Sequence, residues 1–163
     1  WRWAGVPFYL RTGKRMSKRI SEISIHFKQP PLRLFSSSCD VLDPNILVLN
    51  VQPHEGISIH FGVKYPGAGN QISPVKMDFG YENTFKTKPH PAYERLLIDC
   101  MKSDLTLFAR QDGIEAMWSV VDPIIKRWEE TPSSDFPNYS SGTWGPEASD
   151  LMIRKDGRQW RTW

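Results

Sequence analysis

A chain of 163 residues is long enough for one domain that buries about two thirds of its unfolded surface, so neither disulfides nor a metal are required to hold it. Lys and Arg number 21 against 18 Asp and Glu, a surplus of 3 that is too small for a nucleic-acid stripe or an anionic membrane face. Cys39 and Cys100 lie far apart with no Cys-x-x-Cys pair, which fits a reduced cytoplasmic protein better than a secreted scaffold, and no apolar run approaches a membrane span.

In chain order, Val6, Phe8 and Leu10 alternate with Pro7, Tyr9 and Arg11, which predicts a half-buried strand running into a turn at Gly13. Five of the nine residues from Arg11 to Arg19 are cationic, with Thr12, Gly13 and Ser17 among them, a composition suited to a dianionic phosphate. A solvated hairpin end would have the same composition. Ile23, Ile25 and Phe27 alternate with Ser24, His26 and Lys28 in a second strand, ended by Pro30-Pro31 and paired with the first through the basic turn. The stretch from Leu32 to Pro44 reads as a loop. Residues Ile46 to Val51 are almost continuously apolar, as in a central strand, until Pro53 stops the ladder. A fourth strand covers Ile57 to Val63 and a fifth Val75 to Tyr81. Short connections imply an antiparallel meander.

The period then changes. Tyr93, Leu96, Leu97, Cys100 and Met101 recur at helical spacing after Pro91. Asp112 and Glu115 read as a capping pair before a second helix carrying Ile114, Met117, Trp118 and Val121, with a kink or fresh start expected at Pro123. Pro132 to Gly145 reads as a loop, after which Pro146 opens a short helix with Leu151 and Met152. The class is α+β: an antiparallel meander with helices packed on one face and the other face available for dimerisation.

Most other candidates read blandly. His26, His54, His60 and His90 show no metal-ligand spacing, so no metal is expected. Gly67-Ala68-Gly69-Asn70 lacks the third glycine and the helix of a dinucleotide turn, and there is no Gly-x-Ser-x-Gly elbow. Trp118, Trp128 and Trp144 are simplest as core or interface aromatics. Gln52 ends a central apolar strand, where an unpaired buried amide would be costly.

Several blocks together carry a resemblance: Trp1-Arg2-Trp3-Ala4-Gly5-Val6-Pro7-Phe8-Tyr9-Leu10-Arg11-Thr12-Gly13-Lys14, Asn50-Val51-Gln52-Pro53-His54-Glu55-Gly56, Lys64-Tyr65-Pro66-Gly67, Met77-Asp78-Phe79-Gly80-Tyr81, Ala92-Tyr93-Glu94-Arg95-Leu96-Leu97 and Gly142-Thr143-Trp144-Gly145-Pro146. In order and spacing they resemble the carboxy-terminal domain of glucose-6-phosphate dehydrogenases, over almost the whole chain. The resemblance implies that residues 1–163 form one substrate-binding and dimerisation domain of a cytoplasmic enzyme. That enzyme oxidises glucose 6-phosphate with NADP to 6-phosphogluconolactone, the first step of the pentose phosphate pathway, as a homodimer or a tetramer. It implies that Lys14, Arg19 and Gln52 contact the substrate. Trp1 inside a motif suggests an excised domain, with the Rossmann domain, the catalytic histidine and its aspartate partner, and the His-Tyr-Leu-Gly-Lys-Glu segment lying upstream. No catalytic residue is then expected here, and this chain alone should be inactive. Eukaryotic members hold a second, structural NADP. Of that site only Arg11 and Asp78 persist, while Ile20, Ser24, Asn50, Ser58, His60 and Trp144 replace its lysines, arginines or tyrosines, so no structural NADP is expected. Two rival readings are a non-catalytic phosphosugar-binding or regulatory module, and a nucleic-acid binder using Trp1, Trp3 and Tyr9 for stacking, against which the small net charge argues.

Overall fold

The structure is a computed structural model that describes residues 2–29, 43–67, 71–87, 90–132 and 134–161. Pro30-Pro31, most of the expected Leu32–Pro44 loop, Cys39 and residues 68–70 fall outside the described residues. The chain divides into two compact units, Trp1–Thr87 with Tyr139–Trp163, and Lys88–Asn138.

The first unit is built on four antiparallel strands in the order of the sequence: β1 (Ser21–His26), β2 (Ile46–Gln52), β3 (Gly56–Lys64) and β4 (Ile72–Gly80). It is a meander, and the class is α+β as the pattern required. The expected five strands are four, because Val6 to Leu10 forms no ladder and β1 pairs only with β2 among the described residues. The alternation in that segment is real but serves side chains: Phe8 and Leu10 are exposed, whereas Tyr9 and Arg11 are held by the carboxy-terminal segment. β4 begins at Ile72, earlier than expected. Its Pro74, opposite Gly62, is tolerated because β4 is an edge strand with no further neighbour among the described residues to receive an N–H. Tyr81 leaves the sheet and starts α1 (Tyr81–Phe85), where Phe79, Tyr81 and Phe85 pack as an aromatic triple with centroids 4.9 to 6.2 Å apart.

Register fixes the two faces. One carries the rows Ile23–Leu49–Ile57–Phe79 and Ile25–Leu47–Ile59–Met77, and the other Ser24–Val48–Ser58–Asp78 and His26–Ile46–His60–Lys76. Against the usual rule, the polar face is the covered one: Val48 and Ser58 are 0% and 4% exposed, while Ile23, Ile25, Ile57 and Met77 on the apolar face are open. Gly56 belongs where β3 crosses β4, since a Cβ there would lie 2.5 Å from the Phe79 carbonyl oxygen.

The second unit holds α2 (Ala92–Met101) and α3 (Gln111–Glu130). Pro91 precedes the first turn of α2, and the Asp99 carboxylate, 2% exposed, accepts from Arg95 Nε at 2.8 Å. α3 differs from expectation twice. Arg110 takes the N-cap position and makes no side-chain cap, while Asp112 sits inside the first turn, paired with Arg110 at 2.9 Å, where the positive helix end favours a carboxylate. Of the two outcomes expected at Pro123, a kink or a fresh start, the fresh start does not occur: Gln111–Glu130 is one helix with Pro123 inside it. Back in the first unit, Pro146 precedes α4 (Glu147–Lys155), with Ile153 as its buried anchor.

Candidate functional site

At the β1 edge of the polar face lies a clasp between the two ends of the first unit. Arg161 donates to Glu22 at 2.6 Å, Tyr9 donates to Asp156, and Arg158 reaches the Tyr9 hydroxyl at 3.3 Å. Between these the Arg11 guanidinium lies 5.0 Å from the ring centroid of Trp144 and 4.5 Å from that of Trp160, whose indole N–H donates to the Ser149 hydroxyl at 3.0 Å. A guanidinium close to two indole rings is favoured because its weakly hydrated plane gives up little water for contact with π systems. Burial lowers the Arg11 pKa, with Asp150 and Glu22 opposing, and raises that of Glu22 against the pull of Arg161. His26, on the same face, is held below its ordinary value, first by burial and then by Arg161 and Arg158.

This clasp carries the basic turn. After Arg11 the chain bends through Gly13 and through Arg15 at φ 54°, a left-handed conformation unusual for a residue with a Cβ. Three hydrogen bonds from the segment before α4 hold it: Tyr139 donates to the Lys14 carbonyl at 2.8 Å, Gly142 N to the Arg15 carbonyl at 2.8 Å, and Ser17 N to the Thr143 carbonyl at 3.1 Å. A Cβ on Gly13 would come within 3.0 Å of the Tyr139 hydroxyl, so glycine allows that approach. Lys14, Arg15, Lys18 and Arg19 all stand exposed, and among the described residues none is paired with a carboxylate. Elsewhere cations do find partners: Lys76 with Asp78 at 2.8 Å, Arg95 with Asp99, Arg110 with Asp112. The turn presents positive charge that no carboxylate among the described residues compensates.

The three residues expected to meet substrate divide as follows. Arg19 precedes Ser21, and Ser21 is the register partner of Gln52, so these two belong to one end of the β1–β2 ladder. Lys14 lies on the same basic turn, five residues before Arg19. Gln52 is exposed, so the burial cost expected of its amide does not arise. Of the other pair, Arg11 is engaged by the indoles, and Asp78 accepts first from Lys76 at 2.8 Å and then from Ser58 at 2.7 Å, which lower its pKa in that order. His60, beside them on the polar face, has a buried Nε2 with no partner among the described residues. Tyr139, Trp160 and Asp156 were not singled out from sequence, where only the density of aromatic residues near a basic segment could have drawn attention to them. Among the described residues no group of three His, Cys, Asp or Glu could hold a metal ion, and no helix is long and apolar enough to cross a membrane.

Comparison with known proteins gives a consistent result. The family described as "Glucose-6-phosphate dehydrogenase, C-terminal domain" matches residues 1–161. The chain is 49% identical over 161 residues to the glucose-6-phosphate 1-dehydrogenase of Aggregatibacter actinomycetemcomitans, covering 99% of this chain and 32% of that protein. It is 45% identical over 164 residues to the enzyme of Chlamydia pneumoniae, covering 98% and 32%. Among solved structures it resembles the glucose-6-phosphate 1-dehydrogenase of Mycobacterium avium, with a TM-score of 0.75, 31% identity, and coverage of 99% of this chain and 32% of that one. A glucose-6-phosphate dehydrogenase solved with its substrate glucose 6-phosphate gives a TM-score of 0.75 at 26% identity, over 92% of this chain and 30% of that one. The chain thus spans about a third of the length of the relatives it matches.

Proposed function

This chain belongs to the glucose-6-phosphate dehydrogenase C-terminal domain family, and on that premise we propose that it supplies the phosphate-binding and subunit-joining part of an enzyme that oxidises glucose 6-phosphate with NADP to 6-phosphogluconolactone in the cytoplasm. The observation that carries the reading is the exposed charge of the basic turn, which no carboxylate among the described residues pairs with. A phosphate ester near neutral pH carries close to two negative charges, and more than one cation with neutral donors is needed to hold it. Lys14 and Arg19 provide the cations and Gln52 an amide. Substrate binding here orients the sugar, while hydride acceptance requires a nucleotide held against carbon 1, so this chain by itself turns over no glucose 6-phosphate.

In the full-length parent enzyme, Lys14→Ala should raise the KM for glucose 6-phosphate about 10- to 100-fold, the worth of one charge-assisted hydrogen bond, and leave the KM for NADP unchanged. An unchanged sugar-phosphate KM would remove the assignment. Two further parts of the reading follow. The open apolar sheet face joins two copies of the chain, because a surface of this kind needs a cover. No structural NADP is held on the polar face, since Arg11 is already engaged by the rings of Trp144 and Trp160 and Asp78 by Lys76 and Ser58. Stoichiometric nucleotide retained through dialysis would contradict the last statement.

A further inference from the structure

We propose that Tyr139 is a positioning residue, whose hydroxyl, donating to the Lys14 carbonyl, orders the main chain of the basic turn so that Lys14 meets the phosphate ester from a fixed stem. The inference rests on the phosphate reading of that turn. Ordering here is not automatic: five cations crowd nine residues and repel one another, and Arg15 holds a left-handed backbone that a residue with a Cβ adopts at a cost. Contacts from outside must supply what the turn lacks. Two of the three, Gly142 N to Arg15 O and Ser17 N to Thr143 O, run between backbones, and Tyr139 makes the one contributed by a side chain.

The geometry ties that side chain to Lys14 in particular. The hydroxyl is 2.8 Å from the Lys14 carbonyl and has no other partner among the described residues, and Gly13 leaves the space through which it arrives. Lysine is rich in rotamers, so a ligand it binds must offset the ordering of both stem and side chain. A stem already held removes part of that cost, and the benefit appears as substrate affinity rather than as turnover.

The experiment is a double-mutant cycle in the full-length parent enzyme. Tyr139→Phe keeps the ring and deletes the donor. It should raise the KM for glucose 6-phosphate about five-fold while kcat stays within about two-fold and the KM for NADP does not move. In a Lys14→Ala background the same change should alter the sugar-phosphate KM by less than about two-fold, because the group Tyr139 acts through is gone. Gly13→Ala, which crowds the hydroxyl instead of deleting it, should reproduce the rise in KM. If Lys14→Ala raises KM and Tyr139→Phe does not, the positioning role is wrong and the phosphate reading stands. Equal effects of Tyr139→Phe in both backgrounds likewise overturn the role. If Lys14→Ala itself changes nothing, the phosphate reading falls and the positioning role falls with it.

Discussion

Two residues show how closely chemistry here depends on the immediate neighbourhood. His26 is kept below its ordinary pKa by burial and by the guanidinium groups of Arg161 and Arg158, and its Nε2 lies 3.1 Å from the Ser24 hydroxyl. The unfolded chain therefore binds a proton at His26 more readily than the folded one, so stability rises with pH through this interval and is lost as pH falls below about 6.5. Denaturant midpoints measured from pH 7 down to pH 5 should fall, and His26→Gln should flatten the slope. Gly56 is constrained by volume: with the Phe79 carbonyl oxygen 2.5 Å from any Cβ, Gly56→Ala should cost about 1–3 kcal/mol in equilibrium unfolding as β3 and β4 move apart. At this scale the sequence was legible where a residue type states its own chemistry. The cations of Lys14 and Arg19 are as exposed as their composition suggests. Gln52 was misjudged, because the apolar run before it says nothing about how far the strand end protrudes. Tyr139 was illegible, since its partner lies 125 residues away and no local period encodes that meeting.

Most elements followed their periods. β1, β2, β3, α2 and α4 stand where alternation or helical spacing put them. The segment from Val6 to Leu10 alternates just as well and is not a strand, because its polar side is claimed by aromatic and cationic contacts before a ladder can form. Alternation reports that two sides differ, not that the backbone is paired. In α3 the helix absorbs Pro123 although the ring removes the N–H that would reach the Ser119 carbonyl, and the Ser119 hydroxyl bonds to the Ala116 carbonyl at 2.7 Å. Pro123→Ala should then stabilise α3 by about 1–2 kcal/mol, the interior penalty being partly offset by a freer unfolded chain. Urea unfolding followed by circular dichroism reads this directly, and a lower midpoint would mean that the ring is needed by its surroundings.

For the molecule as a whole, the decisive feature is the sheet with its apolar side open. Met77 and Ile23, 61% and 54% exposed, would give a free-standing domain little reason to keep them apolar. Met77→Lys should change the stability of a single copy by no more than about 0.5 kcal/mol, yet shift the parent enzyme from dimer towards monomer in sedimentation experiments. A dimer that withstands the substitution would mean that the subunits meet elsewhere. The sequence foretold a meander with one apolar side, since strand periods and short connections determine both. It could not foretell which side would be covered, because that depends on Tyr9, Arg11 and Glu22 finding Asp156, Trp160 and Arg161 across the length of the chain.

That clasp also dictates an order of events during synthesis. Tyr9 and Asp156 are 147 positions apart and Glu22 and Arg161 are 139, so the sheet can zip together on the ribosome long before its polar side receives a lid. Until Asp156 and Arg161 emerge, the sheet lacks these partners and leaves its polar side less protected, and it is in that interval that chaperone capture or proteolysis would find it most vulnerable.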